Sequence, residues 1–205
     1  MKKNEMINKA AILVIDMQND FFATEYADPA EGERVRKRLA GEINQLLACA
    51  RENGTPVIFA NTVLSADKAD WNLRFRDTNG AICIEGTAGA ELVPEIKREA
   101  EDMTVIKKRY SAFFQTNLEK LLAEMEVSRL VICGINTHAC VRTAAVDAFM
   151  RDIRVFIPEE CVASYDSDRH AETLDYFARR IAAVLPLSEM IKRIERDELD
   201  FRFEA

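Results

Sequence analysis

The sequence predicts an α/β protein, a three-layer α/β/α sandwich around a six-stranded parallel sheet. Three observations carry this. Short apolar runs alternate with helix-period segments from one end of the chain to the other. The runs are continuous rather than alternating, as in strands buried on both faces. Glycine and proline number only 7 and 5 among 205 residues, roughly half of average usage, so little material is left for linkers. A single domain over 1–205 is expected, with a charged tail at 196–205 that interleaves Phe201 and Phe203.

The elements follow in order. Residues 11–15 form the first strand. Val35, Leu39, Ile43, Leu46, Leu47 and Ala50 recur at helical spacing, which predicts a helix over 33–50. Asn53-Gly54 ends it and Pro56 prevents its resumption. Residues 57–60 read as the second strand and 104–107 as the third. A helix over 117–125 carries Leu118, Leu121, Leu122 and Met125 on one stripe. The fourth strand is 130–133, followed by a helix over 137–150. Strand 154–157, helix 168–181, strand 183–187 and a helix capped by Ser188 complete the series. Residues 62–100 are less regular, and a long excursion of this kind often covers a site.

Composition removes several classes. With 28 basic and 35 acidic residues the net charge is −7, which argues against a nucleic-acid footprint. The longest purely apolar run, 10–15, falls far short of the roughly 20 residues of a membrane span. Asp16 and Asp20 stand where a signal peptide would need small residues. Five cysteines with no CxxC pair suggest reduced thiols, so a soluble cytoplasmic protein is expected. No GxGxxG, GxxxxGK[ST] or GxSxG occurs, and His138 and His170 do not have metal-ligand spacing. No metal or cofactor is expected.

In parallel sheets of this kind, ligands sit beyond the carboxyl ends of the strands. Asp16 follows strand one, Lys107 and Lys108 strand three, and 134–140 (GINTHAC) strand four. Acid, amine and thiol therefore share one sheet edge. With Thr137 as N-cap, Cys140 would lie in the first helical turn. A thiol of pKa about 8.5 is only about 3% thiolate at neutral pH. Making thiolate the main form needs about 2.7 kcal/mol. A helix N-terminus supplies roughly 0.3–1 kcal/mol. A neighbouring ammonium or carboxylate must supply the rest, and the strand pattern allows either lysine.

These residues resemble the isochorismatase-like cysteine hydrolase family. The matching segments are 15–21 (IDMQNDF), 107–113 (KKRYSAF) and 134–141 (GINTHACV), within a similarity over 10–187. The resemblance implies a Cys140–Asp16–Lys107 triad, with Lys107 selected because the family lysine stands four residues before the Ser of SAF. It also implies a cis Ile135–Asn136 peptide and an oxyanion hole formed by the Asn136 and Cys140 N–H groups. Phe22, Trp71, Phe113, Ile135 and His138 are candidate substrate contacts, with Tyr165 a further wall and Arg74 or Arg76 a carboxylate clamp. Ala144 and Asp152 depart from common family residues, at positions concerned with packing.

The implied activity is cofactor-independent hydrolysis of a C–N bond in a small amide, ureido or N-carbamoyl compound through a thioester. Vinyl-ether hydrolysis with Asp16 as acid and a catalytically silent binding module are the alternatives. The absence of histidine over 61–71 counts against a metal-binding nicotinamidase. The expected partners are a small-molecule substrate and further copies of the chain, as a dimer or tetramer, with no nucleic acid and no membrane.

Overall fold

The computed structural model describes residues 9–203. Its strands are β1 (Lys9–Ile15), β2 (Val57–Thr62), β3 (Met103–Lys107), β4 (Val127–Ile135), β5 (Arg154–Pro158), β6 (Val162–Ala163) and β7 (Ala182–Leu185). They form one parallel sheet in the order β3-β2-β1-β4-β5-β7, with β6 paired to the end of β4. The six expected strands are therefore joined by a seventh, whose two residues are too short to register as an apolar run.

Alternation along each strand sends side chains into two cores. Ile12 and Val14 join one, while Ala11, Leu13 and Ile15 join the other. The first core is covered by α2 (Pro29–Glu52) and α7 (Leu187–Glu195), through residues such as Leu39, Ile43, Leu46 and Met190. The second is covered by α4 (Leu118–Glu124), α5 (Arg142–Phe149) and α6 (Ser167–Arg180), through Leu122, Ala144, Ala148 and Phe177. This gives the predicted three layers.

Local chemistry moves several boundaries. Helix α2 starts four residues before the predicted 33, because Asp28 caps it by accepting the Ala30 N–H at 2.9 Å and Pro29 occupies its first turn. Ser188 does not cap α7. That helix begins at Leu187, whose N–H is taken by Glu160 Oε2 at 2.7 Å, so the cap comes from a distant segment. Two short helices were not foreseen, α1 (Asn19–Ala23) and α3 (Leu73–Thr78), each too brief to show a period. The described part of the tail folds back on β5, with Phe201 against Phe156 at 5.3 Å and Asp200 paired with Arg154 at 3.2 Å. Residues 204 and 205 of the tail lie outside the described residues.

The chain runs outward from β1 through β2 to β3 on one side, and from β4 through β5 to β7 on the other. The topological switch point thus falls between β1 and β4, where doubly wound sheets open a crevice at their carboxyl edge. Gly134 permits a close approach there. It pairs with Ile15, has φ +115°, and any Cβ on it would collide with the Ile15 backbone.

Among the described residues, no helix is long and apolar enough to cross a membrane.

Candidate active site

Asp16 is the first residue beyond β1, and Cys140 lies five residues beyond β4, so the two flank the switch point. Asp16 has φ +53°, a left-handed backbone that aspartate tolerates better than most side chains. Lys107 ends β3, two strands away from β1. Adjacency of strands one, three and four would be the simplest route to a shared site. The structure instead inserts β2, and strands lie roughly 4.8 Å apart. A long lysine side chain spans that gap where a shorter cation would not.

The three groups meet in the interior. Lys107 is 1% exposed and Asp16 0%. Lys107 Nζ stands 2.8 Å from Asp16 Oδ2 and 3.5 Å from Cys140 Sγ. It also donates to Thr62 Oγ1 at 2.7 Å and to the Arg109 carbonyl at 3.2 Å. Lys108 also lines the cavity but stays outside the cluster, pairing with Asp70 at 2.7 Å and donating to the Val63 carbonyl. Adjacent strand residues face opposite ways, so only one lysine enters the cluster.

Thr62 was missed by sequence reasoning. It ends β2 and pairs in register with Lys107. Its hydroxyl donates to Asp16 Oδ1 at 2.8 Å while accepting from Lys107, and its N–H reaches the same Oδ1 at 3.0 Å. Gln18 braces it, accepting the Thr62 N–H at 2.9 Å and donating to the Thr62 carbonyl at 2.7 Å. The carboxyl-edge position of a polar residue after an apolar run is the signal that could have found it. Thr62→Val is expected to lower kcat about tenfold, the scale of one buried hydrogen bond to a charged group. Thr62→Ser should restore most of it, and steady-state kinetics of both variants check this.

Cys140 belongs to a wide π-type turn, Thr137–Val141, in which the Val141 N–H reaches the Asn136 carbonyl at 3.2 Å. Such turns are frequent at functional sites. Thr137 is not a helix cap: its hydroxyl donates to the Ala163 carbonyl at 2.9 Å and meets His170 Nδ1 at 2.9 Å. Helix α5 starts only at Arg142, so Cys140 precedes it rather than sitting in its first turn. The Ile135–Asn136 peptide is cis.

Burial, reinforced by the Asp16 carboxylate, pushes the Cys140 thiol well above the ordinary range despite Lys107. Lys107 itself is disfavoured as a cation by burial, yet Asp16 and the sulfur outweigh this and hold its pKa above the usual value. Burial and Asp16 thus oppose ionisation of the Cys140 thiol, while Lys107 favours it. The reaction of Cys140 with iodoacetamide is expected to climb about tenfold per pH unit from pH 7 upward. Peptide mapping should show Cys140 modified before Cys49, Cys83, Cys133 and Cys161, since it alone among them lines the cavity. A rate plateau below pH 7 would establish a resting thiolate instead.

The cavity above the sulfur has a volume of about 410 Å³. Phe21, Glu25, Arg74, Tyr110, His138 and Tyr165 contribute to its walls. His138 and Tyr165 meet edge to face at 5.1 Å, and His138 Nδ1 is 2.7 Å from Ser164 Oγ. Burial lowers the His138 pKa. Arg74 comes from the 62–100 excursion, which does cover the site.

Five expected contacts lie away from this cavity. Phe22 stacks on Tyr26 within the first core, and Phe21 lines the cavity in its place. Trp71 is buried with its indole N–H on the Ser65 carbonyl at 2.8 Å. Phe113 packs in the second core beneath the Arg151 guanidinium at 4.8 Å, and Ile135 points into the first core. Arg76 does not line the cavity and donates to the Ala69 carbonyl at 3.4 Å. Each is apolar bulk or a loop clamp, which composition cannot distinguish from a wall. Among the described residues no group of three or more His, Cys, Asp or Glu is arranged to hold a metal ion.

A family model described as the isochorismatase domain matches residues 10–189. The chain is similar to the structure of a cysteine hydrolase from Pseudomonas syringae pv. phaseolicola 1448A, with TM-score 0.83 and 25% identity over 96% of this chain and 99% of that one. It is similar to N-carbamoylsarcosine amidase from Thermoplasma acidophilum, with TM-score 0.73 and 29% identity over 87% of this chain and 96% of that one. Among curated proteins it is 28% identical to enterobactin synthase component B of Escherichia coli (strain K12) over 89% of its own length, and it spans 62% of the length of that relative. The match over most of the chain, on this fold, places the chain in the isochorismatase family of hydrolases.

Proposed function

We propose that the chain hydrolyses a C–N bond in a small amide, ureido or N-carbamoyl compound through a thioester on Cys140. The observation that carries this reading is the buried contact of Asp16, Lys107 and Cys140 at the base of a cavity. Asp16 Oδ1 is occupied by both Thr62 donors, whereas Oδ2 is paired with the Lys107 ammonium, and the carboxylate also interacts with the Cys140 side chain. Oδ2 therefore has a lone pair for the thiol proton. As that proton leaves, Lys107 stabilises the sulfur anion, which attacks the carbonyl carbon. The Asn136 and Cys140 N–H groups receive the oxyanion, a service worth about 2.7–4 kcal/mol per donor. Collapse breaks the C–N bond and the amine departs with the proton from Asp16. Asp16 then takes a proton from water, hydroxide attacks the thioester, and the sulfur leaves to recover its proton.

Likeness to a protein named an amidase supports C–N chemistry over ether hydrolysis. The test is a panel of amides and ureides assayed for released ammonia or amine, followed by acid quenching and mass analysis of the Cys140 peptide. An acyl adduct at Cys140 is expected, and none in Cys140→Ser. Undiminished turnover by Cys140→Ala would overturn the reading.

A further inference from the structure

One wall of the cavity carries acceptors that the fold leaves without donors. Glu25, just beyond α1, turns its carboxyl toward Asn136, whose side-chain Nδ2 donates to Glu25 Oε2. Glu25 and Asn136 both line the cavity beside Cys140. Among the described residues, Glu25 Oε1 has no hydrogen-bond donor and no cation lies within ion-pair distance of the carboxyl. Asn136 is 2% exposed, and its buried Oδ1 has no hydrogen-bond partner among the described residues. Nothing in a packing role calls for this pairing: Glu25 is half-buried, and desolvation disfavours its carboxylate unless a donor meets it.

From this we infer that the Glu25–Asn136 pair is a specificity element that reads N–H groups of the substrate, selecting ureido (N-carbamoyl) compounds over amides, esters or O-carbamates with fewer donors. The inference rests on the C–N hydrolase reading of the same site and narrows its substrate class. A carboxylate accepts up to four hydrogen bonds, and here one is used by protein. A ureido group presents N–H donors on both sides of its carbonyl. With the carbonyl carbon near Cys140 Sγ, those donors fall on the neighbouring wall, where the unpaired acceptors are. An ester or carbamate oxygen in place of an N–H would instead set two acceptors against each other, and such mismatches discriminate more strongly than apolar fit. Burial pushes the Glu25 carboxyl up, ahead of the opposing Asn136 bond, and a donating ligand relieves that burial by supplying the missing partner.

The test measures binding without turnover, so that it stands apart from the catalytic reading. Cys140→Ser protein is titrated calorimetrically with benzylurea and with benzyl carbamate, which differ only by N–H against O. Benzylurea should bind about tenfold tighter or more, the scale of one hydrogen bond to a charged group. Glu25→Gln in the same background should bring the two within about twofold. Asn136 Nδ2 would engage the glutamine oxygen and leave an NH2 facing the ligand, donor against donor. Circular dichroism and thermal melts confirm that the variant is folded. Equal binding of the two ligands to the Cys140→Ser protein, no binding of benzylurea, or a ratio unmoved by Glu25→Gln would each overturn the inference. Failure of the thioester experiment, by contrast, would leave these affinities unchanged and overturn only the catalytic reading.

Discussion

Asp16→Asn is expected to lower kcat by about three to four orders of magnitude while the chain still folds. The left-handed backbone at this position suits asparagine as well as aspartate, and its side-chain oxygen can keep both Thr62 bonds. What disappears is the proton acceptor at Oδ2. The second consequence falls on Lys107, which then has a buried ammonium and no counter-charge. Removing one partner of a buried pair typically costs about 3–5 kcal/mol, unless the survivor neutralises. The pH dependence separates these effects. In the unaltered protein the Lys107 pKa is raised, so its stabilising contribution is complete below the unfolded lysine value of about 10.4 and is lost only as pH climbs through the higher folded value. In Asp16→Asn the main opposition to burial is gone, and the Lys107 pKa should fall below its ordinary value. The unfolded chain then binds the extra proton, so stability should rise with pH toward that same value. Denaturant midpoints measured between pH 7 and 10 check the sign. Equal slopes in the two proteins would mean that Lys107 and Asp16 are not coupled.

Lys107→Met should reduce kcat by about a thousandfold, and Lys108→Ala by no more than about threefold. The contrast follows from burial rather than from residue type. Lys107 is enclosed and in contact with both Asp16 and the sulfur, and it is the cation that opposes the rise in the Cys140 pKa. Methionine fills similar volume without charge, so the thiol should become still harder to ionise and the iodoacetamide rate at fixed pH should fall. Lys108 is half-exposed and paired with Asp70, an arrangement typically worth about 0.2–1 kcal/mol. Turnover and alkylation rates on both variants decide the matter. A dead Lys108→Ala beside an active Lys107→Met would reverse the roles assigned to the two lysines.

The residues of this site differ in how far sequence could reveal them. Asp16, Lys107 and Cys140 each follow an apolar run, so their common sheet edge was legible from pattern alone. Thr62 occupies the same kind of position, but a threonine ending a strand carries no chemical signature until its register partner is known to be Lys107. Glu25 follows a five-residue helix too short to show a period, and it is opposed to Asn136 by a contact spanning 111 positions. Phe22, Trp71 and Phe113 show the converse, since an aromatic that fills a core and one that walls a cavity look alike in a string of residues.

Hydrophobic periodicity by itself determined the alternating α/β order, the parallel sheet and the edge on which acid, amine and thiol gather, because strand and helix periods are local properties of the chain. Strand order, the reach of Lys107 across β2, the raised pKa of the buried Cys140 thiol and the Glu25–Asn136 wall were decided only by tertiary structure. Each depends on burial and on distances between segments far apart in sequence, where desolvation and hydrogen-bond geometry, not composition, set the chemistry.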